Sequence, residues 1–244
     1  MTPAHRLGTV TTVTSVSLPR SEIEDLLRSI ALFDSAAAST LAGLAAGARS
    51  KVLPRGAVLF VAGERAASVH AVVDGVLRVF STSIDGDEVT HALLMAGALV
   101  GELGVIEQRP HSASVAAVRR SQLVEIPAAV MRSAYDADPA IARRLVTLLA
   151  DRVRAQSDVL TDLASLDLTA RLAKFLLAES ERQAAADFAL VLNQTELGQI
   201  VGGSRQSVNQ ALRSLESSGT ISSSARRVRI LDAQRLRMRS MSSG

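Results

Sequence analysis

The dipeptide Asp138-Pro139 divides this chain into two textures that one kind of secondary structure cannot reconcile. On its N-terminal side, short β-branched runs at 58–61, 69–73, 76–81, 89–94, 112–118 and 123–126 alternate with Gly, Asp and Pro. Many short strands at such spacing predict an antiparallel sandwich or roll. On its C-terminal side, Ile141, Leu145, Leu149, Val153, Leu160 and Leu163 recur at steps of three, four or their sum, the period of one helix face. Asp as cap and Pro at the first helical position start that helix, and the stripe carries it to about Leu166. The fold class is α+β.

A helix over 138–166 is roughly 40 Å long at about 1.5 Å per residue. It either lies along its own domain or offers its stripe to a second copy. A length beyond what a small roll can cover favours the second, so these six apolar residues form the expected dimer interface. Within the roll, Asp74-Gly75 and Asp85-Gly86 each sit between two apolar runs and predict tight hairpin turns, since Asp-Gly supplies the positive φ angles required. Ahead of the roll, residues 1–20 read as a loosely held, flexible extension. Ser21 with Glu24 then forms an expected capping box, and alanine and leucine over 36–47 predict a second short helix. Asp167 caps an expected helix over 168–182, which makes 165–167 the hinge. The expected parts are therefore 1–20, a roll over 21–137, the long helix and hinge over 138–166, and a C-terminal domain over 167–244.

Composition removes several classes of chemistry. The chain has no cysteine, hence no disulfide, thiolate zinc site or cysteine-ligated cluster. The histidines His5, His70, His91 and His111 lack metal-ligand spacing, and no metal site is expected; His70 and His91 lie in strand patterns and read as ordinary roll residues. No nucleophile–base pair, Walker loop or dinucleotide fingerprint is present, so no catalytic residue is assigned and an enzyme is not expected. No apolar run approaches the ~20 residues of a membrane span, and no signal peptide is evident, so the expectation is a soluble cytoplasmic protein without a membrane partner.

Charge is uneven. The chain carries +3 overall, but residues 193–244 hold eight arginines against Glu196, Glu216 and Asp232, a net +5, leaving −2 for the rest. A polyanion partner for the C-terminal part follows. There, "LNQTELGQIVGGSRQSVNQALRSLESSGTI" reads as a capping box of Asn193 and Glu196, a helix over 194–201, a turn at Gly202-Gly203, and a second helix capped by Ser204. Val208, Ala211, Leu212 and Leu215 fall on one face of it. Arg205, Gln206, Asn209, Gln210 and Arg213 fall on the other. An ordinary solvated face favours Glu–Lys pairs; this one carries the donor and acceptor pairs that match base edges in a major groove. Helix, glycine turn and amphipathic reader is a helix-turn-helix. "TISSSARRVRIL" follows as a hairpin wing, with Arg226, Arg227 and Arg229 near its tip for phosphate contacts.

With a Gly-Glu-Leu roll, a long helix and "GQIVGGSRQSVNQAL", the chain resembles the CRP/FNR family of bacterial transcription regulators over about residues 21–232. The resemblance implies a cyclic-nucleotide-binding-type β-roll, a dimerisation helix and a winged helix-turn-helix. It also implies a homodimer on double-stranded DNA with an inverted-repeat operator, and RNA polymerase as a partner if the protein activates. Arg205, Gln206 and Gln210 occupy the family's base-reading positions, and Ser204, Ser207, Gln194 and Thr195 its phosphate-contacting positions. The cyclic-AMP receptors share Arg205 but differ at the places of Gln206 and Gln210, which puts their half-site in doubt here.

The resemblance also gives the loop "GELGVIEQRPHSASVAA" a meaning. Gly101, Glu102 and Leu103 match the cassette whose glutamate meets a ribose hydroxyl, and Ser112 is retained. His111 stands where cyclic-AMP receptors place an arginine on the phosphate. Gln156 and Ser157 match the adenine-contacting pair of the long helix, with one small hydroxyl kept. A guanidinium is always charged and bidentate, whereas an imidazole is mostly neutral at pH 7. Loss of a charge-assisted bond implies an affinity for cyclic AMP lower by about one to two decades. Two outcomes stay open: weakened nucleotide binding, or a scaffold with a degenerate pocket. A nucleotide-regulated enzyme built on the same roll is disfavoured by the absence of catalytic residues.

Overall fold

The computed structural model describes residues 18–84, 86, 88–224 and 226–242, together with the backbone of Thr14–Val16. In chain order the strands are β1 (Thr14–Val16), β2 (Arg49–Leu53), β3 (Val58–Phe60), β4 (Ser68–Asp74), β5 (Val76–Thr82), β6 (Glu88–Met95), β7 (Leu99–Val100), β8 (Ser114–Ala117), β9 (Ser121–Pro127), β10 (Asp187–Ala189), β11 (Ile221–Ser224) and β12 (Arg227–Ile230). The helices are α1 (Arg20–Arg28), α2 (Ala38–Gly47), α3 (Glu102–Glu107), α4 (Ala128–Ala137), α5 (Pro139–Ser165), α6 (Leu168–Gln183), α7 (Gln194–Val201), α8 (Arg205–Ser217) and α9 (Ala233–Ser240).

The roll has two sheets, ordered β1-β2-β9-β4-β7 and β3-β8-β5-β6. Strand alternation sends Val69 and Ala71 of β4, and Val124 and Ile126 of β9, into one core beneath α1, α2 and α4. Leu53, Leu77, Val115 and Leu123 join a second core with Phe60 and Val72. Aliphatic side chains make up most of both, with Phe33 in the first and Phe60 in the second, as a chain with 2% aromatics requires. The second compact unit runs from Ala150 onward and also takes in Ser83–Thr90. It carries a three-stranded sheet, β10-β12-β11, with α6 to α9.

Several expectations need correction. The extension over 1–20 is not wholly loose: Thr14–Val16 pairs antiparallel with β2, Leu18 packs on the roll core, and Arg20 opens α1. Residues 1–13 and 17 lie outside the described residues. Ser21 does not cap α1, because Pro19, with φ of −55°, starts the helix two residues earlier without a side-chain cap. Arg20 instead lies 3.8 Å from Glu24 one turn on.

Asp74-Gly75 does not close a hairpin. β4 and β5 lie in different sheets, so this corner carries the chain from one sheet to the other. Gly75 has φ of 111°, and a Cβ there would fall 2.5 Å from the Cα of Ser121, so the corner needs glycine on both counts. Of the second turn, between neighbouring β5 and β6, Gly86 has φ of 89° and Asp85 lies outside the described residues. Strands β2 and β7 and helices α3 and α4 carry no strong sequence signal.

The long helix follows its cap. Asp138 accepts from the backbone N–H of Ala140 at 3.0 Å and from that of Ala37 at 2.8 Å, tying the helix start to the entry of α2. Its stripe, however, serves two purposes. Ile141 and Leu145 are buried in the roll core of their own chain, and Leu149 packs against that core. Ile141 and Leu145 therefore leave the expected dimer interface, because the helical period reports that a face is covered and not by what. Val153, Leu160 and Leu163 are 63%, 68% and 46% exposed, beside exposed Val146 and Val159.

Candidate functional site

Helices α7 and α8 are built by local chemistry. Asn193 Oδ1 accepts from the N–H groups of Thr195 and Glu196 at 2.9 and 3.0 Å, while the Glu196 carboxylate accepts from the N–H of Asn193 at 2.7 Å. The helix ends at Gly202, with φ of 72°, and the N–H of Gly203 closes on the carbonyl of Gly198 at 2.8 Å. Ser204 Oγ accepts from the N–H of Ser207 at 3.1 Å and opens α8.

Val208, Ala211, Leu212 and Leu215 are buried, which turns Arg205, Gln206, Gln210 and Arg213 outward. Asn209 is half-buried and donates from Nδ2 to Gln194 Oε1 at 2.8 Å, fixing α8 against α7. These five α8 side chains line one open groove of about 600 Å³, with two guanidiniums and no carboxylate. Of the expected phosphate-contacting residues, Thr195 is exposed on the first turn of α7, and Gln194 is engaged by Asn209. Ser207 Oγ donates to the carbonyl of Ser204 at 2.9 Å and lies 3.0 Å from Ser204 Oγ, so both hydroxyls have partners within the turn.

The wing departs from expectation. Arg226 is exposed beside the tip. Arg227 donates through Nε and Nη2 to Asp187 Oδ1 at 3.1 and 2.8 Å, and Arg229 does the same to Oδ2 at 3.1 and 2.8 Å. One carboxylate thus holds two guanidinium forks, and they in turn hold its pKa below the ordinary aspartate value. Arg227 and Arg229 are therefore ion-paired rather than presented as free cations. The register explains this: Asp187 stands opposite Arg229, and Arg227 lies two residues along on the same sheet face. Sequence pattern alone does not single out Asp187, because its role depends on which strand lies beside β12.

The roll loop turns inward. Gly101 has φ of 86°, and a Cβ there would lie 3.0 Å from the carbonyl of Ser68 and 3.3 Å from His111 Cε1. Glu102 is 1% exposed and His111 is 7% exposed. The backbone of His111 bonds the loop at Glu64 and Gly63, at 2.9 and 2.8 Å. Its ring stacks on Phe60 at 3.6 Å between centroids, with planes 10° apart. Burial, reinforced by nearby His70, holds its pKa below the usual histidine value, against the opposing pull of Glu64. At neutral pH this residue is an uncharged, stacked ring, not a cation aimed at an anion. Leu103 and Ser112 are exposed, as are Gln156 and Ser157 on α5, where Ser157 Oγ donates to the carbonyl of Val153 at 3.0 Å.

His70, read from sequence as an ordinary strand residue, has a charged neighbourhood. Its Nε2 lies 3.5 Å from Glu125 Oε1, which also accepts from Lys51 at 2.9 Å and Ser68 at 3.1 Å. His70 and Lys51 lower the Glu125 pKa to about 2, while burial lowers that of His70.

A strand roll followed by a capped helix-turn-helix with an exposed Arg/Gln reading face defines a DNA-binding regulator with a ligand-type sensory domain. The cyclic nucleotide-binding domain family matches residues 50–138, and the Crp-like helix-turn-helix domain family matches residues 170–239. The chain belongs to the CRP/FNR family of transcription regulators; its relatives are regulators, not enzymes.

Among them, the cAMP-activated global transcriptional regulator CRP of Salmonella typhimurium is 32% identical over 174 residues, 69% of this chain and 83% of that protein. The CRP-like cAMP-activated global transcriptional regulator of Mycobacterium tuberculosis is 27% identical over 222 residues, 89% of this chain and 99% of that protein. FixK2 from Bradyrhizobium japonicum shares the fold with a TM-score of 0.74 at 24% identity, covering 81% of this chain and 99% of its own. The c-di-GMP-responsive regulator CLP of Xanthomonas campestris gives 0.69 at 23% identity, over 80% and 99%. Among the described residues no helix is long and apolar enough to cross a membrane.

Proposed function

We propose that this chain acts as a homodimer that reads an inverted-repeat operator in double-stranded DNA, with RNA polymerase as a further partner where it activates. The observation that carries this reading is the α8 face, where Arg205, Gln206, Gln210 and Arg213 stand outward on a helix whose other face is buried. The distal α5 stripe of Val153, Leu160 and Leu163 supplies the seam. Two such readers address half-sites about one turn apart, ~34–36 Å. Selection of bound DNA from a random pool tests this directly, and an inverted repeat is expected. Arg205→Ala should then lose about 1–3 kcal/mol on the selected site and far less on random DNA. Equal losses on both would reduce Arg205 to a phosphate contact.

Cyclic AMP, named in the descriptions of the Salmonella and Mycobacterium relatives, is the effector this reading carries over, at weakened affinity. Gly101, Glu102, Leu103, His111 and Ser112 would meet it, with Gln156 and Ser157 from α5. A second reading is favoured by the closed His111–Phe60 stack: the roll builds the regulator without an effector. Repeating the selection with cyclic AMP separates the two, since a nucleotide-dependent shift in affinity is expected only under the first.

A further inference from the structure

One side chain ties the end of the long helix directly to the turn of the helix-turn-helix. Arg171 lies in the first turn of α6, directly behind the Asp167 cap. Its Nη1 donates to the carbonyl of Leu166 at 2.6 Å, just past the end of α5. Its Nε donates to the carbonyl of Val201 at 2.7 Å, and its Nη2 to that of Gly202 at 3.2 Å, at the end of α7. A single planar guanidinium thus binds carbonyls that two helices leave outside their own ladders.

The placement is costly locally. A cation in the first turn of a helix faces the positive end of that helix's own dipole. Here the negative ends of α5 and α7 offset this, since both lie on the guanidinium's donors. The turn beneath is fitted to the same joint. A Cβ on Gly202 would fall 2.6 Å from Leu163 Cδ2, and one on Gly203 would fall 2.5 Å from Leu168 Cδ1. Leu163, the last residue of the apolar stripe, therefore touches the helix-turn-helix turn itself. Neighbouring ties, Lys174 to Asp162 and Arg239 to Asp167, hold the joint without reaching the turn.

We propose that Arg171 is a positioning residue for DNA reading: it fixes the angle between the seam helix and the reading motif, and so sets the spacing of the two half-sites that the dimer accepts. The inference rests on the dimeric reading above. Arg171 touches no base. It decides where a reader is held, not what the reader recognises. Lysine cannot substitute, because a point charge on a flexible stem does not span three acceptors in one plane.

The test is selection of bound DNA from a random pool with wild type, Arg171→Ala and Arg171→Lys. Wild type is expected to enrich one inverted repeat at one spacing. Both variants should enrich the same half-site with spacings spread by a base pair or more in each direction, and should bind the wild-type optimum about tenfold less tightly, the scale of a lost charge-assisted contact. The half-site is the control that a merely structural role would move: a disordered α7–α8 turn degrades base preference, whereas a loosened joint leaves it intact. A single unchanged spacing in both variants, with affinity within about twofold of wild type, overturns the proposal. So does a changed half-site. If Arg171→Ala fails to fold, Arg171→Lys decides by the same criteria. A wild type that selects no inverted repeat sinks the dimeric reading first, a distinct result.

Discussion

Two helices of this chain follow glycines at positive φ, and they do opposite things. α3 follows Gly101 and α8 follows the Gly202–Ser204 turn. Beyond the second, polar side chains face water, with Asn209 anchored to Gln194. Beyond the first, Glu102 and His111 are buried, and His111 is stacked on Phe60. A polar motif next to a glycine turn states which groups are available; burial decides whether they meet a partner or the protein. The polar face of α8 is exposed. The roll loop is closed, and a ligand there must first displace packing.

The comparison breaks most sharply at the seam. If the reading face is poised only as one of a pair, Leu160→Asp should dissociate the dimer and lower affinity for the inverted repeat by at least about a hundredfold, while single half-site binding survives. Leu160 is the right target because Leu149 packs on its own roll. Sedimentation with a binding titration reads both, and a fully active monomer would reject the seam.

The next effect tests whether the loop is closed or merely unfilled. His111→Arg should strengthen cyclic AMP binding at pH 7 by about one to two decades if the nucleotide reaches the loop. In the wild type, binding should rise as pH falls, because the protonated ring suits an anion better. Affinity should begin to climb at the bound-state pKa, which the anion raises, and level off only below the free-state pKa, which burial holds under the usual histidine value. Calorimetry at several pH values checks this. No heat from either protein at millimolar nucleotide would leave the loop as scaffold.

The smallest effect concerns the wing. Asp187→Asn frees two guanidinium forks beside the reader, so binding to random DNA should tighten a few-fold and its salt dependence steepen by roughly one ion. A titration over salt concentration measures it. Identical slopes would place Arg227 and Arg229 beyond the reach of phosphates.

Legibility in the sequence followed the same division between local and distant causes. Asn193, Glu196 and Ser204 cap α7 and α8 through bonds within three residues, and Asp138 and Asp167 do so for α5 and α6, so those helices could be read almost to the residue. The sheet switch at Gly75, the pairing of Thr14–Val16 with β2 and the Asp187 clamp each depend on which strand lies beside which. No local pattern encodes that. His111 was visible as a substitution in a familiar loop, but its stacking depends on Phe60, about fifty residues away. The α5 stripe was legible as a face; its division between Leu145 and Val153 was not, because one periodicity describes both kinds of cover.

That division has a consequence in abundance. If the distal stripe is the proposed seam, the apolar face of α5 is covered by its own roll only as far as Leu149, and a second copy would cover exposed Val153 and Leu160. The order of the distal half then follows mass action, each tenfold dilution removing about 1.4 kcal/mol from its coupling to the partner. Because Leu163 also meets the Gly202 turn, a fall in copy number would, under the dimeric reading, loosen the support beneath that turn as well. On the dimeric reading, expression level itself would be an input to this regulator, with or without an effector in the roll.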